Sequence, residues 1–329
     1  MSSFPVLRSL VAAAMVVLAW PAGARAQAAA DYPDKPIRMI VPFPPGSGTD
    51  IVGRILAQEM AGAWHQSVIV DNRPGASTII GTEIVAKSPP DGYTMVMASN
   101  NHAMNPALFP DSMPFDPQKD FAAVGEVAVL PFILVVSPQL PVKTLGELLA
   151  LARRKPHEIT YASTGNGTPP HVAGEMLRHM ANVDIVHVPY KGSADAVTDV
   201  VAGRVSMMFV NVPSGIGLIR AGKLRALAAG TSNRIAMMPD LPTVAEQGFP
   251  GFDVSLWMGL LVPAGTPAPV IDKLTREIAV VLDKPEMQAK LETQGAEPAY
   301  SPPAAFSGFI GEEIKRFGRI VKDIDLRVD

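Results

Sequence analysis

Short β-branched runs alternating with stretches of helical spacing recur along the chain from Ile37 onward. Ile37-Arg38-Met39-Ile40-Val41 reads as a buried strand, and beyond a short loop Ile51, Val52, Ile55, Leu56 and Met60 share one helical face. That stripe predicts a helix of about four turns starting near Thr49. Residues 67–70 and 93–98 read as further strands, with a helix carrying Ile80, Ile84 and Val85 between them and a stop at Ser88-Pro89-Pro90-Asp91-Gly92. Residues 106–121, rich in Pro and Asp, read as loop. The apolar run 124–136 is long enough to pass from one domain into the next, and a crossover is placed near its Pro131. The alternation then restarts: a helix at 145–154, strands at 159–162, 185–188, 205–209 and 224–229, and a second long apolar run at 252–262 as the return crossover. Helices at 268–282, 285–294 and 303–321 close the chain.

This alternation is the α/β class with largely parallel sheets. Two crossing segments divide it into two lobes, residues 31–131 with 252–329 and residues 132–251. Polar loops sit at the carboxyl ends of the strands, where open α/β sheets place their ligands. In Pro42-Phe43-Pro44-Pro45-Gly46-Ser47-Gly48-Thr49-Asp50, Ser47 and Asp50 form a capping-box-like pattern at a helix start. Free N–H groups and the positive helix end make such a spot an anion site, and a plain βα turn carries the same pattern. Ser99-Asn100-Asn101-His102 and the turn-rich residues 71–78 lie at comparable strand ends. In the second lobe Ser163-Thr164-Gly165-Asn166-Gly167-Thr168-Pro169-Pro170 repeats the opening loop, with Thr168 as cap and Pro169 at the first helical position. Pro189 to Asp195 and Val210-Asn211-Val212-Pro213-Ser214 follow two more strands. Two lobes aiming polar loops across a cleft describe a hinged binding protein.

Met1–Ala26 stands apart from this pattern. Arg8, an apolar run from Leu10 to Trp20 and the Ala24-Arg25-Ala26 signature read as a secretory signal peptide cleaved after Ala26. Its removal takes Arg8 and Arg25 and no acid, moving the formal charge from −3 to −5. A mildly acidic body without a basic cluster argues against nucleic acid. With no cysteine anywhere in the 329 residues, disulfides, thiolate metal sites and Cys nucleophiles are excluded together. A soluble periplasmic protein is the expectation.

Other motifs carry little. His171, Glu175 and His179 recur at four-residue spacing, but three ligands along one helix span about 12 Å, too far to share an ion, and they read as a polar helix face. Gly217 to Leu224 nearly spells a phosphate-binding loop, yet Leu224 stands where Ser or Thr must hold magnesium. Neither H-E-x-x-H nor G-x-S-x-G occurs. No metal, cofactor or catalytic residue is expected.

Spaced motifs nonetheless add up. Tyr32-Pro33-x-Lys35-Pro36-Ile37, Val41-Pro42-Phe43 with Thr49-Asp50, Asn72-Arg73-Pro74-Gly75-Ala76 and Pro90-Asp91-Gly92-Tyr93-Thr94 come first. Asn105-Pro106-Ala107-Leu108, Tyr161-Ala162-Ser163 with Gly165-Asn166-Gly167, and Val188-Pro189-Tyr190-Lys191-Gly192 follow. Residues 221–228 and Pro242-Thr243-Val244-Ala245-Glu246 complete the set. In order and spacing this resembles the solute-binding receptors of tripartite tricarboxylate transporters, the Bug family, over residues 32–322.

The resemblance implies a periplasmic-binding-protein fold of the Venus flytrap, type II-like kind. It also implies a receptor that hands a small carboxylated solute to membrane permease subunits. It directs the solute to Gly46, Ser47, Gly48, Thr49 and Asp50, to Ser163, Thr164, Gly165, Asn166, Gly167 and Thr168, and to Gly192, Ser193 and Ala194. Ser99 and Asn211 are further candidates, each equally able to satisfy only its own loop. Asp50 is the odd member, since a carboxylate repels an anion, and capping or ordering a water is open to it. Tyr190 and Lys191 read as cleft-mouth residues, with solvated charge the ordinary role for the lysine.

Two departures matter. Ser77-Thr78-Ile79 replace the family's Gly-Gly-Asn-like loop, so Ser77 and Thr78 join the candidates, and Val210 stands where an Asp is common. Both changes point toward a less polar solute than an amino acid, such as an aromatic or aliphatic acid, and a monomer is separately expected. A sensory receptor docking on a histidine kinase, or a secreted hydrolase or lyase, are the alternative readings.

Overall fold

The computed structural model describes residues 32–326; the leader read at Met1–Ala26 lies outside them. In chain order the first stretch contains β1 (Ile37–Val41), α1 (Gly48–Trp64), β2 (Val68–Asn72), α2 (Ile79–Ala86), β3 (Thr94–Ser99), α3 (Asn100–Leu108) and β4 (Phe121–Val136). Next come α4 (Leu145–Arg154), β5 (Ile159–Ser163), α5 (Pro169–Ala181), β6 (Ile185–Pro189), α6 (Ser193–Val201), β7 (Met207–Asn211), α7 (Val212–Arg220) and β8 (Arg225–Ala229). The chain then returns through β9 (Ser255–Pro263), α8 (Ala268–Asp283), α9 (Pro285–Thr293), β10 (Glu297–Ser301) and α10 (Pro303–Asp323).

The fold is two-lobed α/β. In one lobe β1 pairs in parallel with β2 and β3, and β9 and β4 extend the sheet antiparallel, with β10 on β4's far side. In the other β5 pairs in parallel with β6 and β7, and β4 joins β7 and β8 antiparallel. β4 thus belongs to both. Pro131 pairs with Ser255 of β9, and the next residue, Phe132, pairs with Asn211 of β7. A proline lacks the N–H a ladder needs, and here it falls where the ladder changes partner.

Buried apolar faces hold the layers together. α1 turns Val52, Leu56, Ala57 and Met60 inward, matching the stripe read from the sequence. α8 buries Val270, Leu274, Ile278 and Val281, and α10 buries Phe306, Ile310, Phe317 and Val321. Fully covering one such side chain contributes about 1.5–3 kcal/mol.

Three differences from the sequence reading have physical causes. The loop at 99–102 is instead the start of α3, which runs on through Pro106 to Leu108. Its asparagines do not compete with the helix, because Asn100 donates to Ser255 O and accepts from Trp257 N, while Asn105 donates to Ser77 O. β10 forms in a stretch left without assignment, drawn into the sheet by pairing with β4. His171 and Glu175 are not on a polar face: both are buried, and only His179 is exposed.

Candidate functional site

Between the carboxyl ends of the two sheets lies a cleft of about 960 Å³, the size range of small-ligand pockets. One wall is the opening loop. Ser47 caps α1, its Oγ accepting from Asp50 N at 3.2 Å, which leaves the Gly48 and Thr49 amides outside the intrahelical ladder. A methyl group on Gly48 would sit 2.7 Å from Leu130 Cδ2 and 3.2 Å from Asn211 Nδ2, so only glycine lets α1 begin this close to β4 and β7.

The second wall is the turn before α2. Ala76, Ser77 and Thr78 all have positive φ, 44°, 51° and 80°, a run of left-handed residues without glycine. Each costs about 1–2 kcal/mol relative to the right-handed form. The turn is pinned from behind: Asn105 Nδ2 donates to Ser77 O at 2.7 Å, Asn101 Nδ2 to Ser77 Oγ at 2.7 Å, and Thr82 Oγ1 to Thr78 O at 2.9 Å. The positive φ values account for glycine and asparagine being the usual residues of such a loop.

Across the cleft stand the 164–168 loop and the start of α6. Thr168 occupies the cap position of α5, but its hydroxyl donates to Gly165 O at 2.7 Å instead of accepting an amide. Pro169 and Pro170 then remove two donors from the first turn. The expectation that this loop mirrors the opening loop as an amide donor is therefore corrected. α6 takes that part: its cap residue, Gly192, has no side chain to satisfy the Ser193 and Ala194 amides. Asn211 caps α7, accepting from Ser214 N at 3.1 Å.

Of the residues singled out from sequence, Gly46, Ser47, Gly48, Thr49, Ser77, Thr78, Thr164, Gly165, Asn166, Thr168, Gly192, Ser193, Ala194 and Asn211 line one cleft. Four do not. Asp50 is buried in the first turn of α1, receiving Gly46 N at 2.8 Å, Asn72 Nδ2 at 2.8 Å and Arg54 Nε at 3.0 Å. Burial pushes its carboxyl up, but these donors outweigh that and hold it below the usual range, so it is an ionised brace. Ser99 is buried at the end of β3. Ser163 Oγ turns back to His187 Nε2 at 2.6 Å and to the Gly165 amide at 3.1 Å. Gly167 gives its carbonyl to Asn101 Nδ2 at 3.3 Å and Ser77 Oγ at 3.4 Å, a bond from one side of the cleft to the other.

Sequence reasoning missed Asn101 and the apolar lining of Phe109, Phe132, Met208 and Leu256. Asn101 and Asn105 at four-residue spacing were the available signal for a shared face. Lys191 is the one lysine or arginine among the described residues lining the cleft, and Asp195 the one carboxylate; both are exposed. Nearby Arg54 and Arg73 are engaged by Asp50 and Asp71.

Residues 52–326 match the model of the tripartite tricarboxylate transporter family receptor. The chain belongs to that family. It is 38% identical to protein BugT of Bordetella pertussis over 305 residues, covering 92% of this chain and 93% of BugT. Among solved family structures, Rpa4515 of R. palustris with adipate is 34% identical at a TM-score of 0.86, covering 90% of this chain and 99% of that one. MatC of Rhodopseudomonas palustris with bound malate is 31% identical at 0.80, covering 88% and 100%. The receptor fold of these relatives is the two-lobed fold described above.

Proposed function

We propose that this receptor captures a small carboxylate in the cleft, closes its lobes over it and delivers it from the periplasm to the permease subunits of a tripartite transporter. The lobes comprise residues 31–131 with 252–329 and residues 132–251, and the leader to Ala26 directs export. One observation carries the reading: the first residues of α1 and α6, whose amides lie outside the helical ladders, line the same cleft, Gly48 and Thr49 on one side and Ser193 and Ala194 on the other. Two helix N-termini hold a carboxylate without any arginine. Adipate and malate in two relatives support a carboxylate here.

The remaining walls favour an acid with an apolar body. Phe109, Phe132, Met208 and Leu256 surround it, and Val210 gives an ammonium group no partner. Asp50, the buried carboxylate in the first turn of α1, is already committed to three donors. An aliphatic or aromatic acid therefore fits better than an amino acid. The protein acts as a monomer and makes or breaks no bond: the nearest nucleophile–base pair, Ser163 and His187, has its serine fully buried and off the cleft wall.

The test separates backbone from side chain. A thermal-shift screen of dicarboxylates, aromatic acids and acidic amino acids identifies the solute, and calorimetry follows. Ser193→Ala removes only a hydroxyl, whereas Ser193→Pro also removes the first amide of α6 at a position where proline suits a helix. Proline there weakens binding about tenfold beyond alanine, the worth of one hydrogen bond to a charged group. Equal affinities in the two variants, or a screen in which no acid binds, overturn the reading.

A further inference from the structure

Behind the 164–168 loop lies a cluster outside the cleft lining, buried except for the half-buried His187 and Arg178. His171 and His187 stack with ring centroids 3.9 Å apart and 15° between planes, and Tyr161 lies 4.9 Å beyond His187 at 24°. Tyr161 donates to Glu175 Oε1 at 2.6 Å, and Arg178 holds the other oxygen of Glu175 at 2.7 Å. His187 Nε2 meets Ser163 Oγ at 2.6 Å, at the root of the loop. At its tip His171 Nδ1 accepts the Gly167 amide at 3.0 Å. That bond needs Nδ1 bare, so His171 is neutral with its proton on Nε2. Gly167, at φ 70°, is the residue whose carbonyl reaches Asn101 and Ser77 on the opposite lobe.

We infer that His171 is a positioning residue for solute capture: its bare Nδ1 fixes the Gly167 peptide that joins the lobes, and protonation of the stacked pair releases it. A proton on Nδ1 would face the Gly167 N–H donor to donor. It would also place a cation against His187, with Glu175, already bound by Arg178 and Tyr161, as the only carboxylate in the cluster. Burial, together with His171 in the case of His187, holds both imidazoles down to about 4. Capture is therefore intact at neutral pH and fails as pH falls toward that value. The inference rests on the proposed function only for its affinity readout.

The experiment uses ¹⁵N-labelled protein with adipate as probe. His171 Nδ1 shows the resonance of an unprotonated nitrogen at pH 7, and the Gly167 amide moves with the His171 midpoint. His171→Leu weakens adipate about tenfold by stranding the Gly167 amide. His171→Asn, whose Oδ1 replaces the acceptor without titrating, restores affinity and flattens the fall that accompanies protonation of the pair near pH 4. A Gly167 amide indifferent to His171 titration, or an acid profile in His171→Asn equal to the wild type's, overturns the inference. If adipate does not bind, the acid identified by the screen replaces it as probe; if no acid binds, the proposed function is at fault, and the Gly167 resonance still decides this one.

Discussion

Acidification from pH 7 to pH 5 removes a large part of the folding free energy. His102 and His171, 3% and 5% exposed, are both held down by burial to about 4 from an ordinary 6.5. A base with a lowered native pKa takes up its proton in the unfolded chain first, so its contribution is complete above 6.5 and is lost as pH falls toward 4. At pH 5 each costs about 2 kcal/mol, together about 4 kcal/mol. Against a typical total of about 5–15 kcal/mol that is a large share. The lowered carboxylates do not share the loss, since Asp116, held at about 2 by Lys119 and backbone amides, is ionised throughout the interval. Glu126 and Glu277, raised by burial, change the other way: any strain of keeping them charged is relieved as they protonate. Urea denaturation followed by circular dichroism at pH 7, 6 and 5 measures the balance. A folding free energy at pH 5 equal to or above that at pH 7 would refute the argument, as would an unchanged slope in the His102→Gln, His171→Asn double variant.

Three other outcomes follow from packing and backbone. Gly174→Ala places a methyl group 2.2 Å from Tyr161 Cε2, and overpacking of about 3 kcal/mol outweighs the ~1 kcal/mol gained in helix propensity, lowering the urea midpoint. Thr78→Asn relieves a β-branched residue at φ 80° and raises stability by about 1 kcal/mol, read from the thermal midpoint. Gly48→Ala crowds Leu130 and Asn211; calorimetry with the screened solute shows affinity lowered about tenfold while circular dichroism keeps its helical signal.

The parts of the fold legible in the sequence are those whose signal is local. β1, the glycine loop and α1 announce themselves within residues 37–60 through an apolar run, a cap and a helical stripe. α3 does not, because its asparagines are satisfied by β9 and by the Ser77 turn, partners far along the chain. β10 carries Pro298 and gains its place only through β4. At the site, strand-end loops were readable as candidates, but which side chain faces the cleft was not. Ser163 and Gly167 sit in the right loop and turn to His187 and Asn101 instead, a choice made by residues 24 and 66 positions away.

The passage of β4 through both sheets has a consequence for how the molecule forms. Residues between Pro131 and Ser255, which pair with each other, make up a self-contained excursion whose two ends are neighbours in space. The lobe they interrupt cannot complete its ladder until translation has passed β9, so its β2–β1–β3 ribbon waits with an open edge on β3 while the excursion assembles. That edge stays open to other strands in a newly made chain until β9 closes between β3 and β4.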